Sequence, residues 1–211
     1  MVPWCAAALL AVISWQVGAG GPLVDSDEAL AEGMGRHAPP AGFGEFLADL
    51  GNGLVAVPFL VAAVAYAVHR GQRRAAFAAG VAMALVPALV VPLKEAFARP
   101  GPTVDVVTSY AGFYPSGHAA TSAVAYGGAA VLVAGCATRP WVRRLAVVLA
   151  AVLVAACGLG LVWREYHWPL DVVASWCLVA VLLPGVALSL RRSGPAAPPP
   201  RASPAPAAPD R

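Results

Sequence analysis

The sequence predicts an all-α fold, a polytopic membrane bundle of six transmembrane helices. Three observations carry that prediction. Of the 211 residues, 59% are hydrophobic and 12% charged, against a charged fraction of roughly 25% in soluble domains. Mean hydropathy is +0.70. Six apolar stretches each approach the roughly 20 residues a helix needs to cross a bilayer, and polar segments separate them.

The first stretch, 2–19, has no basic flank ahead of it and no small-residue cleavage site leading into a soluble domain. It therefore reads as a span rather than a signal peptide. Residues 20–52 are polar and acidic, with Asp25, Asp27, Glu28, Glu32, Glu45 and Asp49 against Arg36 alone. Leu30, Met34, Phe43, Phe46 and Leu47 recur there at loosely helical spacing. That fits either a helix along the membrane surface, placed to cover a site mouth, or a plain connecting loop.

Spans two and three, 53–69 and 75–93, are joined by Arg70, Arg73 and Arg74. Spans four and five, 118–136 and 144–163, are joined by Arg139, Arg143 and Arg144, and span six, 170–190, is followed by Arg191 and Arg192. The positive-inside rule assigns all three arginine groups to the cytoplasm. Both termini are then cytoplasmic, and 20–52, 94–117 and 164–169 face outward. Residues 193–211 are Pro/Ala-rich without apolar periodicity, the composition of a disordered cytoplasmic tail. The membrane domain is thus 1–192. Cys5, Cys136, Cys157 and Cys177 lie in or beside apolar stretches with no CxxC or Cys–His spacing, and read as small apolar residues rather than a disulfide or zinc site.

Three polar segments interrupt the apolar pattern on the predicted outer side. Span three ends at Lys94, the single lysine among fourteen basic residues, followed by Arg99-Pro100. Span four opens from Pro115-Ser116-Gly117-His118. If a helix starts here, the backbone N–H groups of Ser116 and Gly117 form an anion site at the positive end of its dipole. Span five runs out at Arg164-Glu165-Tyr166-His167, and span six begins with Pro169-Leu170-Asp171. His167 and Asp171 are four apart, so both can face the same way, with Pro169 suited to the first helical turn. A carboxylate there can hold one imidazole nitrogen protonated and leave the other free to attack. His118 is then available to protonate a leaving oxygen. Lys94, Arg99 and Arg164 can neutralise phosphoryl oxygens with the Ser116 and Gly117 N–H groups. Nothing in this scheme requires a metal or another cofactor.

These segments resemble the three signature motifs of the type 2 phosphatidic acid phosphatase (PAP2) superfamily, which also includes vanadium haloperoxidases. Its pattern is K-x6-R-P, P-S-G-H and S-R-x5-H-x3-D. Pro115 to His118 match the second motif completely, His167 and Asp171 match the end of the third, and Lys94 matches the start of the first. The resemblance covers about 53–190, the core of the domain. It implies a six-span phosphatase core in which His167 forms a phosphohistidine, His118 is the acid, Asp171 orients His167 and Lys94 binds phosphate. Two family arginines fall on Gly101 and Leu161 here, and the serine beside the second falls on Gly160. Arg99 and Arg164 are the nearest replacements by charge and position.

The function expected is hydrolysis, at the outer membrane face, of a phosphomonoester or pyrophosphate on a lipid. Polyprenyl pyrophosphate, phosphatidic acid and phosphatidylglycerophosphate are candidate substrates. One alternative keeps the phosphoenzyme but transfers to an alcohol; another is a non-catalytic membrane protein that binds lipid phosphate. Simple binding has no need of a His–Asp pair plus a second histidine. No nucleic-acid partner is expected. Tyr110, Phe113, Tyr114, Tyr166 and Trp168 read as interfacial anchors beside the site.

Overall fold

A backbone surrounded by lipid must satisfy its own hydrogen bonds, and an apolar chain does so as helix. The computed structural model describes residues 2–103 and 112–190, and every regular element among them is an α-helix. Arg191, Arg192, the 193–211 tail and Tyr110 lie outside the described residues. The elements are α1 (Val2–Ala19), α2 (Pro22–Gly35), α3 (Ala41–Asp49), α4 (Gly53–His69), α5 (Arg73–Phe97), α6 (Gly117–Cys136), α7 (Pro140–Trp163) and α8 (Pro169–Leu188).

Five helical stretches among the described residues are long and apolar enough to cross a membrane, with α3 and α4 counted together as 41–69. A sixth is reached if α1 and α2, bent by 92° at their junction, count as one span. The polar 20–52 segment is mostly helical, since α2 and α3 occupy it.

α6 is the centre of the bundle. In its most apolar window 61% of residues are buried, against 28–39% in the other four spans. Around it stand α4, α5, α7 and α8, while α1 packs on the far side of α8 and α3 on α7. The sequence of α6 explains the choice. Small residues such as Ala120, Gly127 and Gly128 let neighbouring backbones close in. A Cβ at Gly127 would stand 2.9 Å from Leu183 and one at Gly128 3.2 Å from Leu60. The outer helices turn large apolar side chains outward instead, among them Trp4, Phe77 and Leu145.

The basic loops share one end of the molecule, where Arg70 Nη2 donates to the Cys136 carbonyl at 3.4 Å. The C-termini of α5 and α7 and the N-termini of α6 and α8 gather at the other end. Tyr114 is fully buried there and shares a hydrogen bond of 2.8 Å with Ser14 Oγ of α1. It ties α1 to the α5–α6 connection rather than sitting at the interface.

Candidate active site

Two helix ends aim the principal side chains. α5 stops at Ala98, whose left-handed backbone (φ 44°) turns the chain while its N–H donates to the Lys94 carbonyl at 2.9 Å. That reversal sends Arg99 back toward the bundle. α7 stops in the same manner at Glu165, with φ 56°. Glu165 N–H donates to Val162 O and Tyr166 N–H to Leu161 O, both at 2.9 Å, a Schellman closure. The turn carries the chain to His167 and directly into α8.

At the start of α8 the expected pair forms. His167 Nδ1 lies 3.3 Å from Asp171 Oδ2, with His167 7% exposed and Asp171 entirely buried. The Trp168 N–H also donates to Asp171 Oδ2, at 3.2 Å, so the carboxylate reaches back over its own helix start. Asp171 Oδ1 accepts from Arg99 Nη1 at 2.7 Å. The other arm of Arg99, Nη2, donates at 2.8 Å to Asp27 Oδ2 on α2. Asp27 Oδ1 in turn accepts the Leu170 N–H at 2.8 Å. Burying two carboxylates is expensive unless their oxygens are satisfied, and here all four carry a donor.

α6 begins as the sequence indicates, with Ser116 as N-cap and its Oγ accepting from the Ala119 N–H at 3.3 Å. Ser116 itself is buried, and its N–H donates to the Asp171 carbonyl at 3.2 Å. Ser175 Oγ bridges the Ser116 and Asp171 carbonyls at 2.8 Å each, locking the starts of α6 and α8 together. His118, one residue past Gly117, is exposed and within electrostatic reach of His167 and Lys94. Gly51, in the α3–α4 connection, presses against it. A Cβ on Gly51 would stand 2.7 Å from the His118 carbonyl oxygen and 2.8 Å from its Cβ.

The three cations sit differently. Lys94 is buried and donates to the Gly112 and Phe113 carbonyls at 3.1 and 3.4 Å. Arg99 is buried between two carboxylates. Arg164 is at the rim, its side chain 33% exposed, and its Nε donates at 2.9 Å to Glu45 of α3. Tyr166 Oη donates to the same Glu45 oxygen at 2.8 Å, and that bond holds the Tyr166 phenol pKa above its ordinary value.

The structure thus brings His167, Asp171, Arg99, Ser116, Gly117, His118 and Lys94 to one end of the bundle, with Arg164 at its edge. Asp27 and Glu45 are the polar partners that sequence reasoning did not single out. One signal for Asp27 was present. It shares a helical face with Ala31 and Met34, which pack toward the core, and a carboxylate on an inward face is conspicuous. Leu30, by contrast, faces outward. Among the described residues no group of three or more His, Cys, Asp or Glu is placed to hold a metal ion.

No curated protein sequence matches the chain. A crystal structure of a transmembrane PAP2-type phosphatidylglycerolphosphate phosphatase from Bacillus subtilis superposes with a TM-score of 0.76. It is 20% identical, over 88% of this chain and 94% of that one; the likeness is one of fold. The PAP2 superfamily model matches residues 75–194, more than half of the chain and a range within which Lys94, His118, His167 and Asp171 lie. The protein is therefore a helical membrane protein that belongs to the PAP2 superfamily.

Proposed function

We propose that the protein is a lipid phosphatase that works through a phosphohistidine, at the membrane face opposite the arginine-rich loops. The observation that carries this reading is the buried His167–Asp171 pair with exposed His118 beside it, at the end of a bundle whose flanks are apolar.

Asp171 keeps the His167 Nδ1 protonated, so Nε2 holds the lone pair that attacks phosphorus. The P–O bond to the lipid breaks, and His118 gives its proton to the departing oxygen. Water then attacks the phosphohistidine, with His118 taking a proton from it, and phosphate leaves with His167 restored. The substrate is a phosphomonoester or pyrophosphate on a lipid. Polyprenyl pyrophosphate, phosphatidic acid and phosphatidylglycerophosphate, the last named for the structural relative, are the compounds to try.

Magnitudes assign the cations. An exposed ion pair such as Arg164–Glu45 contributes about 0–1 kcal/mol, so a phosphate dianion can draw Arg164 away from Glu45 at little cost. Removing one partner from a buried pair costs about 3–5 kcal/mol, so Arg99 stays with its carboxylates. We therefore assign phosphate binding to Lys94, Arg164 and the Gly117 end of α6. Arg99 and Ser116 fix Asp171 in place.

The deciding test is phosphate release by purified protein in detergent with EDTA present, using those three lipids. Release by the wild type and none by His167→Ala supports the reading. A folded wild type that releases nothing from any of them overturns it.

A further inference from the structure

Asp27 is the only buried residue of α2, at 4% exposure, while its neighbours Asp25 and Glu28 are exposed. A helix docked for packing alone would bury an apolar residue at that point. Apolar replacement of buried ion pairs is often neutral or stabilising, so a carboxylate here calls for a role that uses its charge. Its two oxygens have different tasks. Oδ2 takes one arm of Arg99, whose other arm holds Asp171. Oδ1 takes the Leu170 N–H, one of the donors a helix start leaves without an intrahelical partner. Pro169 offers no N–H, and Trp168 supplies no side-chain acceptor, so α8 receives this cap from another helix.

We propose that Asp27 is a positioning residue of the active site, acting on Asp171 through Arg99 and through the start of α8. Arg99 faces two carboxylates, so its charge is shared between them. Without Asp27 the guanidinium would turn wholly to Asp171, pulling that carboxylate away from His167 and leaving the pocket one positive charge in excess. α2 is then part of the site, and the bend between α1 and α2 is what delivers it. This inference rests on the proposed role of the His167–Asp171 pair.

The test uses the full chain in detergent with Asp27→Asn, Arg99→Gln and the double variant. Asparagine keeps an oxygen for the Leu170 N–H and loses the charge that meets Arg99. The double variant removes the Asp27 and Arg99 charges together, leaving no guanidinium short of a partner, and so remains informative if Asp27→Asn alone does not fold. Two readouts are taken: kcat and KM for lipid phosphate hydrolysis, and binding of orthovanadate, a phosphoryl-transfer transition-state mimic, by calorimetry. We expect Asp27→Asn to lower kcat about 10–100-fold, by analogy with the hydrogen-bond partners that orient metal ligands, with KM within about threefold. Orthovanadate affinity should fall in parallel, and the double variant should be no worse than Arg99→Gln. Wild-type kcat and vanadate affinity in Asp27→Asn overturn the inference, as do losses that simply multiply in the double variant. If the wild type binds vanadate in an Asp27-dependent manner but hydrolyses no lipid, the lipid phosphatase reading fails and the positioning role stands. If it neither binds nor hydrolyses, both fall.

Discussion

In the proposed mechanism His167 attacks only while Asp171 holds its Nδ1, and Asp171 is itself held by Arg99, the Trp168 N–H and the contacts around Ser116. Each of these residues should therefore fail in its own way. His167→Ala should lower phosphate release by about 10³-fold or more, since an absent nucleophile is not replaced by its neighbours. In single-turnover release of the leaving group, which reads the phosphohistidine-forming step apart from the water attack that both substrates share, His118→Ala should cost about 10²–10⁴-fold on a lipid alkoxide leaving group, and far less on p-nitrophenyl phosphate, whose leaving group needs no proton. Equal losses on both substrates would remove His118 as the acid. The two arginines separate by parameter. Arg164→Ala should raise KM about 10-fold or more, one charge-assisted hydrogen bond, with kcat held, while Arg99→Ala should lower kcat. The His167–Asp171 pair was readable in the sequence because four residues on one helix is a local relation. Asp27–Arg99 and Arg99–Asp171 each span 72 residues, and nothing in the order of the chain sets that distance in space.

The elements matter chiefly through their ends. The limits of the long helices were legible to within a few residues because apolar length and helix length coincide in a bilayer. The largest difference is α5, which continues to Phe97 through Lys94 and Glu95, because a helix does not stop where its side chains turn polar. It stops at Ala98, an alanine in the left-handed region, where an L side chain costs about 1–2 kcal/mol. Ala98→Gly should relieve that strain at a smaller entropy cost, for a net gain of about 0.5 kcal/mol, while Ala98→Val should lose more than the alanine does. The melting temperature in detergent reads both. If Ala98→Gly melts lower than the wild type, the backbone there is not strained. Packing against an end is as tight as packing along a flank. Gly51→Ala would drive a methyl into His118 and Cys157 Sγ, an overpacking cost of about 1–3 kcal/mol. It should cut activity beyond what the loss of folded protein explains.

On the scale of the whole molecule, the basic loops and the candidate active site occupy opposite ends. Opposite ends of such a bundle meet opposite sides of a membrane. In a cysteine-free background, a cysteine at Phe43 should react with a membrane-impermeant maleimide added to intact cells, and one at His69 only after lysis. The reverse pattern would put the site on the cytoplasmic side. The all-helical membrane class followed from composition and the length of the apolar stretches, because lipid leaves an apolar chain few other choices. The placement of α2 did not, because beside the short apolar face of Ala31 and Met34 its docking rests on one buried charge whose partner, Arg99, is 72 residues away.

That charge also decides where the protein can be cut. The stretch that carries the family signature begins at Ala75, after α4, and a designer seeking a minimal catalytic module would start there. Such a fragment keeps every signature residue yet strands Arg99 without Asp27 and uncaps α8. Shortening should therefore stop before α2, and any graft of this active site onto another scaffold has to bring a carboxylate from outside the signature with it.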